Sequence, residues 1–297
     1  MEPILQTFDL TKRYGLKAAL DSVNMTVERG DIYGFIGRNG AGKTTLMRVV
    51  LGMTDATSGR VDLFGGRSLR TTGMKIGSLI ESPAFYHNCS AKENLVRFSI
   101  ISGADKREVD KLLEIVGLGD TGNKRAGQFS LGMKQRLGIA IALLNHPEFL
   151  VLDEPINGLD PAGIMQIRNL LHQTNQEYGT TILISSHLLD ELGKLATKYG
   201  IINEGKLVEE VAADELERRC EQKLRIRVDD PARAREILSA RIPMEDMTIG
   251  DGELILNSHL DESAEINHQL ALSNLMVSGI EHISGDLEQY FVERIGG

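Results

Sequence analysis

The chain has 297 residues, and its 33 lysines and arginines against 42 acidic residues leave a net charge of −9. With 41% hydrophobic and 25% charged residues it has the make-up of a globular protein, which excludes fibres and wholesale disorder. The acidic balance argues against broad contact with nucleic-acid backbone.

The longest apolar run, Leu137–Leu144, has eight residues, whereas a bilayer span needs about 20. Met1–Gln6 shows no basic stretch leading into an apolar one, so secretion is not expected. At roughly 150 residues per domain, two domains are expected. Cys89 and Cys220 lack metal-ligand spacing and read as reduced thiols of an intracellular protein.

Along the chain, Leu5–Val27 alternates polar and apolar residues and reads as an antiparallel β layer. Asp31–Gly37 is a buried-strand pattern entering a glycine loop, and Ala41–Leu51 then carries apolar residues at helical spacing. Phe149–Leu152 and Thr180–Ile184 are short apolar runs of the kind buried on both faces. Between them, Pro161–Tyr178 reads as a helix with proline in its first turn. Such alternation predicts an α/β domain with a parallel core sheet.

After residue 210 the texture changes. Ala213–Glu221 reads as a charged linker helix, and Lys223–Val228 alternates with period two. A helical run follows over Pro231–Ala240, then strand patterns at Met247–Ile249 and Glu253–Leu256, a helix over Glu262–Leu272 and a last strand over Met276–Ile280. That βαββαβ order predicts a small α+β module of the ferredoxin-like kind. The expected divisions are 1–210, a linker helix over 211–222 and an accessory domain over 223–297.

The chemistry concentrates in a few motifs. Gly37-Arg38-Asn39-Gly40-Ala41-Gly42-Lys43-Thr44 fits the phosphate-loop pattern G-x-x-x-x-G-K-[ST] between a predicted strand and a predicted helix, and Thr45 continues it. Its glycines let successive N–H groups face phosphate oxygens at a positive helix end. Lys43 would reach the β- and γ-phosphates of a nucleotide, and Thr44 would offer its hydroxyl to Mg²⁺.

Phe149-Leu150-Val151-Leu152-Asp153-Glu154 delivers two carboxylates at the end of a buried strand, where open parallel sheets hold ligands. Asp153 suits the metal, and Glu154 suits the attacking water. Tyr14, within Leu10-Thr11-Lys12-Arg13-Tyr14-Gly15, is the candidate platform for a base, a tuning contribution of about 1 kcal/mol.

Together with Phe129-Ser130-Leu131-Gly132-Met133-Lys134-Gln135-Arg136, Asn157-Gly158-Leu159-Asp160 and Ser185-Ser186-His187, these motifs resemble the ATP-binding subunit of an ATP-binding cassette (ABC) transporter. They stand in the family's order over residues 4–210, as signature, D-loop and switch histidine. The resemblance implies a phosphate-loop NTPase cassette with a parallel core sheet, an antiparallel β layer and a helical subdomain over about 82–145.

It also implies that two chains form a homodimer, in which Ser130 and Gly132 of one chain complete the ATP site of the other, and that Asp160 of the D-loop binds the nucleotide. Glu154 would be the catalytic base and His187 the γ-phosphate contact. The expected partner is a membrane-spanning permease received by Glu81–Phe98, with the chain on the cytoplasmic face of the membrane.

Three departures stand out. Phe129, Leu131 and Met133 replace the usual first, third and fifth signature residues, and Ile156 precedes the D-loop where a hydroxyl residue is common. Glu81, in Ile76-Gly77-Ser78-Leu79-Ile80-Glu81-Ser82-Pro83, stands where the family places a metal-contacting glutamine. A glutamate there is similar to the subgroup that protects bacteria from lantibiotics and bacitracin-like peptides, and implies an extra negative charge in the metal shell. The competing class, a soluble ABC-type ATPase acting on nucleic acid or ribosomes, is disfavoured. Thr45–Phe129 is too short and too glycine-punctuated for an inserted coiled coil, one cassette is present, and basic charge is low.

Overall fold

The computed structural model describes residues 2–66, 75–220, 223–283, 290–292 and 294. The chain divides into two compact units: Met1–Ala213, which takes back Arg294, and Asp214–Glu293.

In the first unit, β1 (Pro3–Tyr14) and β2 (Lys17–Glu28) form a long antiparallel hairpin, with β4 (Ser58–Leu63) on the other edge of β1. The main sheet takes the order β5-β6-β7-β3-β8-β9, from β3 (Ile32–Ile36), β5 (Ile76–Leu79), β6 (Phe149–Asp153), β7 (Thr181–Ser186), β8 (Lys198–Asn203) and β9 (Lys206–Ala212). All its pairs are parallel except β8–β9. Every residue of β3, β6 and β7 is buried, because helices and the antiparallel layer cover both faces.

Helix α1 (Lys43–Val50) follows β3 and drives Leu46, Met47 and Val50 into the core shared with Ile4, Leu20, Tyr33 and Phe149. Each such fully buried apolar side chain contributes about 1.5–3 kcal/mol. The sequence pattern begins this helix at Ala41, but the structure begins it at Lys43. Gly40 and Gly42 hold φ of 81° and 115°, which a right-handed helix cannot include.

A helical layer consists of α2 (Ala91–Ser102), α3 (Val109–Ile115) and α4 (Leu131–Leu143). α2 opens with a reciprocal Ser90/Glu93 capping box. Gly138 of α4 lets Pro83 and Leu79 approach, since a Cβ there would lie 2.8 Å from the proline ring. Helix α5 (Pro161–Tyr178) starts with Asp160 as N-cap and Pro161 as first residue, and α6 (Leu189–Gly193) follows β7.

The second unit begins with most of α7 (Ala213–Arg219). Its elements then run β10 (Lys223–Val228), α8 (Pro231–Leu238), β11 (Met247–Gly250), β12 (Glu253–Leu256), α9 (Ser263–Leu272) and β13 (Val277–Ile283). The sheet is antiparallel with order β11-β12-β10-β13. Leu224, Ile226 and Val228 of β10 point to one core with Leu238, Ile266 and Leu270, and the alternating arginines lie on the other face.

Candidate nucleotide site

Residues 37–42 connect β3 to α1 as a tight loop, and two of its glycines are required by space. A Cβ on Gly37 would sit 2.5 Å from the Ile202 carbonyl oxygen, and one on Gly42 would sit 2.6 Å from that of Ala19. Lys43, 6% exposed, folds its ammonium back under the loop. Its Nζ donates to the Gly37 carbonyl at 2.6 Å and to that of Arg38 at 3.4 Å, and lies 3.3 Å from Glu154 Oε1.

The acidic pair leaves β6 beside this loop. Thr44 Oγ1 donates to Asp153 Oδ2 at 2.7 Å, while Ser185 Oγ donates to Asp153 Oδ1 at 2.6 Å and accepts the Glu154 N–H at 2.9 Å. Glu154 takes φ of 49°, a left-handed conformation unusual for a residue with a side chain. That turn places its carboxylate between two cationic or polar groups, Lys43 on Oε1 and His187 Nδ1 on Oε2 at 2.8 Å. Glu154 Oε1 is buried, and the Lys43 ammonium at 3.3 Å balances its charge there.

A cleft of about 310 Å³ opens over the loop, lined by Tyr14, Lys17, Ala19, Asn39, Gly40, Gly42, Lys43, Thr44, Thr45 and Glu154. Tyr14 is half-exposed, with Lys12 Nζ 5.1 Å from its ring centroid. Lys17 is its cross-strand partner at the hairpin end. Lys17 and Ala19 are wall residues that motif reasoning did not find, and the hairpin register is the feature that brings them there.

Other expected residues sit differently. Arg38 lends its carbonyl, not its side chain, to Lys43 and Ala41. Ala41 buries its methyl in the core, and its carbonyl accepts the Gly205 N–H. Ser130 and Asp160 cap α4 and α5, accepting from the N–H groups of Met133 at 3.3 Å and Gly163 at 3.0 Å. Those two and Gly132 do not line the cleft of their own chain.

Signature and D-loop instead meet each other. A Cβ on Gly132 would lie 3.7 Å from Leu159, and one on Gly158 would lie 3.1 Å from Leu131. Glu81, with φ of 60°, pairs with Arg48 of α1 at 2.7 Å rather than with Thr44 or Asp153.

The family model that describes an ABC transporter matches residues 20–157. The bacitracin transport ATP-binding protein BcrA of Bacillus licheniformis is 44% identical over 302 aligned residues, covering 100% of this chain and 99% of that protein. The lantibiotic transport ATP-binding protein SrtF of Streptococcus pyogenes is 44% identical over 211, covering 71% of this chain and 92% of its own.

Among solved structures, the ADP form of MJ1267, an ATP-binding cassette of an ABC transporter, superposes with a TM-score of 0.65 at 27% identity, covering 72% of this chain and 93% of that one. The cbiO1 protein of Clostridium perfringens, part of the ABC transporter complex cbiONQ, gives 0.66 at 25% identity over 82% and 97%. No helix among the described residues is long and apolar enough to cross a membrane. The chain therefore belongs to the ABC transporter ATP-binding family and is an ATPase.

Proposed function

We propose that this ATPase drives a separate membrane-spanning exporter for bacitracin- or lantibiotic-like peptides, working as a homodimer on the cytoplasmic face of the membrane. The observation that carries the cargo is end-to-end likeness. The 44% identity to a bacitracin transport protein runs over the whole chain, including the C-terminal unit.

In this reading the triphosphate of ATP lies along the loop N–H groups and Lys43, with its base over Tyr14. Charge-assisted hydrogen bonds contribute roughly 1.5–3 kcal/mol each, and micromolar binding needs about 8 kcal/mol in all. Phosphate contacts therefore dominate the affinity, and Tyr14 tunes it.

Thr44 and Asp153 present hydroxyl and carboxylate oxygens 2.7 Å apart at the strand end, the donor type a hard divalent cation takes. They, with Glu81, would hold Mg²⁺, which when bound neutralises charge on the β- and γ-phosphate oxygens. Glu154 accepts a proton from the attacking water as that oxygen bonds to the γ-phosphorus. The bond to the β–γ bridging oxygen breaks, leaving ADP and phosphate.

His187, holding Glu154 through Nδ1, keeps Nε2 for the γ-phosphate. Ser130, Gly132 and Asp160 face the partner's nucleotide, so closure is favoured to the extent that ATP binds the closed dimer better than the open one.

Purification of the tagged chain from its host's membranes in mild detergent tests the reading. A multi-spanning protein without a phosphate loop should co-purify at comparable abundance, and deletion of the gene should sensitise the host to bacitracin or a lantibiotic. A chain recovered with ribosomes or DNA would overturn the transport reading. A host whose peptide sensitivity is unmoved would overturn the cargo.

A further inference from the structure

The Arg48–Glu81 pair joins the helix behind the phosphate loop to the strand exit beside the acidic pair. β5 and β6 run parallel in register, Leu79 level with Leu152, and Glu81 follows the end of β5 as Glu154 follows the end of β6. Its positive φ turns the chain there, and its carboxylate ends on Arg48 Nη2 at 2.7 Å. Arg48 is four residues after Thr44 on α1, hence on the same helix face about 5–6 Å away. The Glu81 carboxylate is thus held by the side chain one helical turn along α1 from Thr44, whose hydroxyl touches Asp153. Both members are substantially exposed, at 40% and 59%, so the pair is weak enough to open.

From this geometry we propose that Arg48 is a positioning residue that withholds Glu81 from the nucleotide's metal. The cation must compete with the guanidinium for the Glu81 carboxylate. A neutral amide at position 81 would feel no such ionic competition, so the restraint is a property of the glutamate. The inference rests on the reading of Glu81 as a metal group given above.

The test is Mn²⁺ binding followed by electron paramagnetic resonance, on the purified full chain with ADP present and without turnover. Arg48→Met keeps the aliphatic stem and frees Glu81; Mn²⁺ should bind about two- to five-fold more tightly, the factor that an exposed ion pair commands. Arg48→Lys should keep the wild-type affinity. Glu81→Gln should loosen Mn²⁺, and in that background Arg48→Met should add nothing.

The double variant is decisive, because removal of any nearby positive charge could tighten a cation. If Arg48→Met tightens Mn²⁺ equally with Gln at 81, the effect is long-range and the proposal is wrong. If Glu81→Gln alters Mn²⁺ affinity but Arg48→Met does not, the restraint fails while the metal role of Glu81 stands. If Glu81→Gln leaves Mn²⁺ affinity unchanged, the metal role falls and the restraint falls with it.

Discussion

The hydroxyl of Ser185 and the carboxylate of Asp153 lie 2.6 Å apart, both buried at adjacent strand ends. The same hydroxyl accepts the Glu154 N–H at 2.9 Å, so one oxygen orients the metal carboxylate and the backbone that carries the proposed base. Ser185→Ala removes a hydrogen bond to a charged group and strands the partly buried Glu154 N–H. The expected loss is about 2–3 kcal/mol of stability, measured by denaturant unfolding, and Mn²⁺ should bind more weakly. A variant within about 0.5 kcal/mol of wild type, with unaltered Mn²⁺ affinity, would show that Ser185 only fills space.

Lys43 and Glu154 touch at 3.3 Å, but only the loss of Lys43 should weaken ATP binding. Lys43→Ala takes the cation from the cradle and leaves Glu154 facing the phosphates; ATP affinity should fall by roughly 100-fold, about one strong charge-assisted hydrogen bond's worth. Glu154→Gln leaves the cradle and removes the proton acceptor. ATP should bind at near wild-type affinity, hydrolysis should fall by about 100-fold or more, and a dimer should accumulate on gel filtration with ATP. A monomeric Glu154→Gln protein that hydrolyses ATP at the wild-type rate would sink the proposed mechanism.

The parts of the cassette legible in the sequence are those whose chemistry is contiguous. Phe149–Leu152 and Thr181–Ile184 keep unbroken apolar runs because both faces of their strands are covered, and Lys43–Thr44 and Asp153–Glu154 are neighbours in the chain. Strands β8 and β9 carry no such signal. Gly200 interrupts β8 to make room for the Tyr33 ring.

Glu210 stands within β9 because Tyr33 Oη donates to it at 2.7 Å and Thr26 N at 3.2 Å, partners supplied by β3 and β2. The roles of Ser185 and Arg48 are illegible for the same reason. Ser185 meets Asp153 only through the β6–β7 register, and Arg48 meets Glu81 only once β5 is docked beside β6.

Gly77 of β5 carries a stability prediction of a different kind. A Cβ there would drive into the backbone carbonyl of Ala142 on α4, and neither sheet nor helix backbone can yield cheaply. Gly77→Ala should therefore cost about 2–4 kcal/mol through overpacking. Gly119→Ala, whose Cβ would find its nearest neighbour at 3.6 Å, should stay within about 0.5 kcal/mol of wild type. Paired urea titrations read both values, and equal midpoints would mean that α4 and β5 are less closely packed than this geometry requires.

Acid should loosen the same sheet where β5 and β6 begin. Glu148, just before β6, accepts hydrogen bonds from Lys75 and from Arg29 Nη1, the latter at 2.8 Å. Those two bonds, Lys75 first, hold its carboxyl below the ordinary value of 4.5 against an opposing desolvation. A carboxyl whose folded pKa is depressed binds protons more readily in the unfolded chain, so its contribution is complete above pH 4.5 and is lost as pH falls through the folded value. The half-exposed setting limits the size of that contribution through solvent screening. Glu148→Gln should therefore lower the melting temperature at neutral pH and flatten the decline between pH 4.5 and more acid conditions, leaving the two proteins alike at the acid end. A variant whose melting curve runs parallel to wild type through that window would show that the Arg29–Glu148–Lys75 pairing does not couple proton binding to folding.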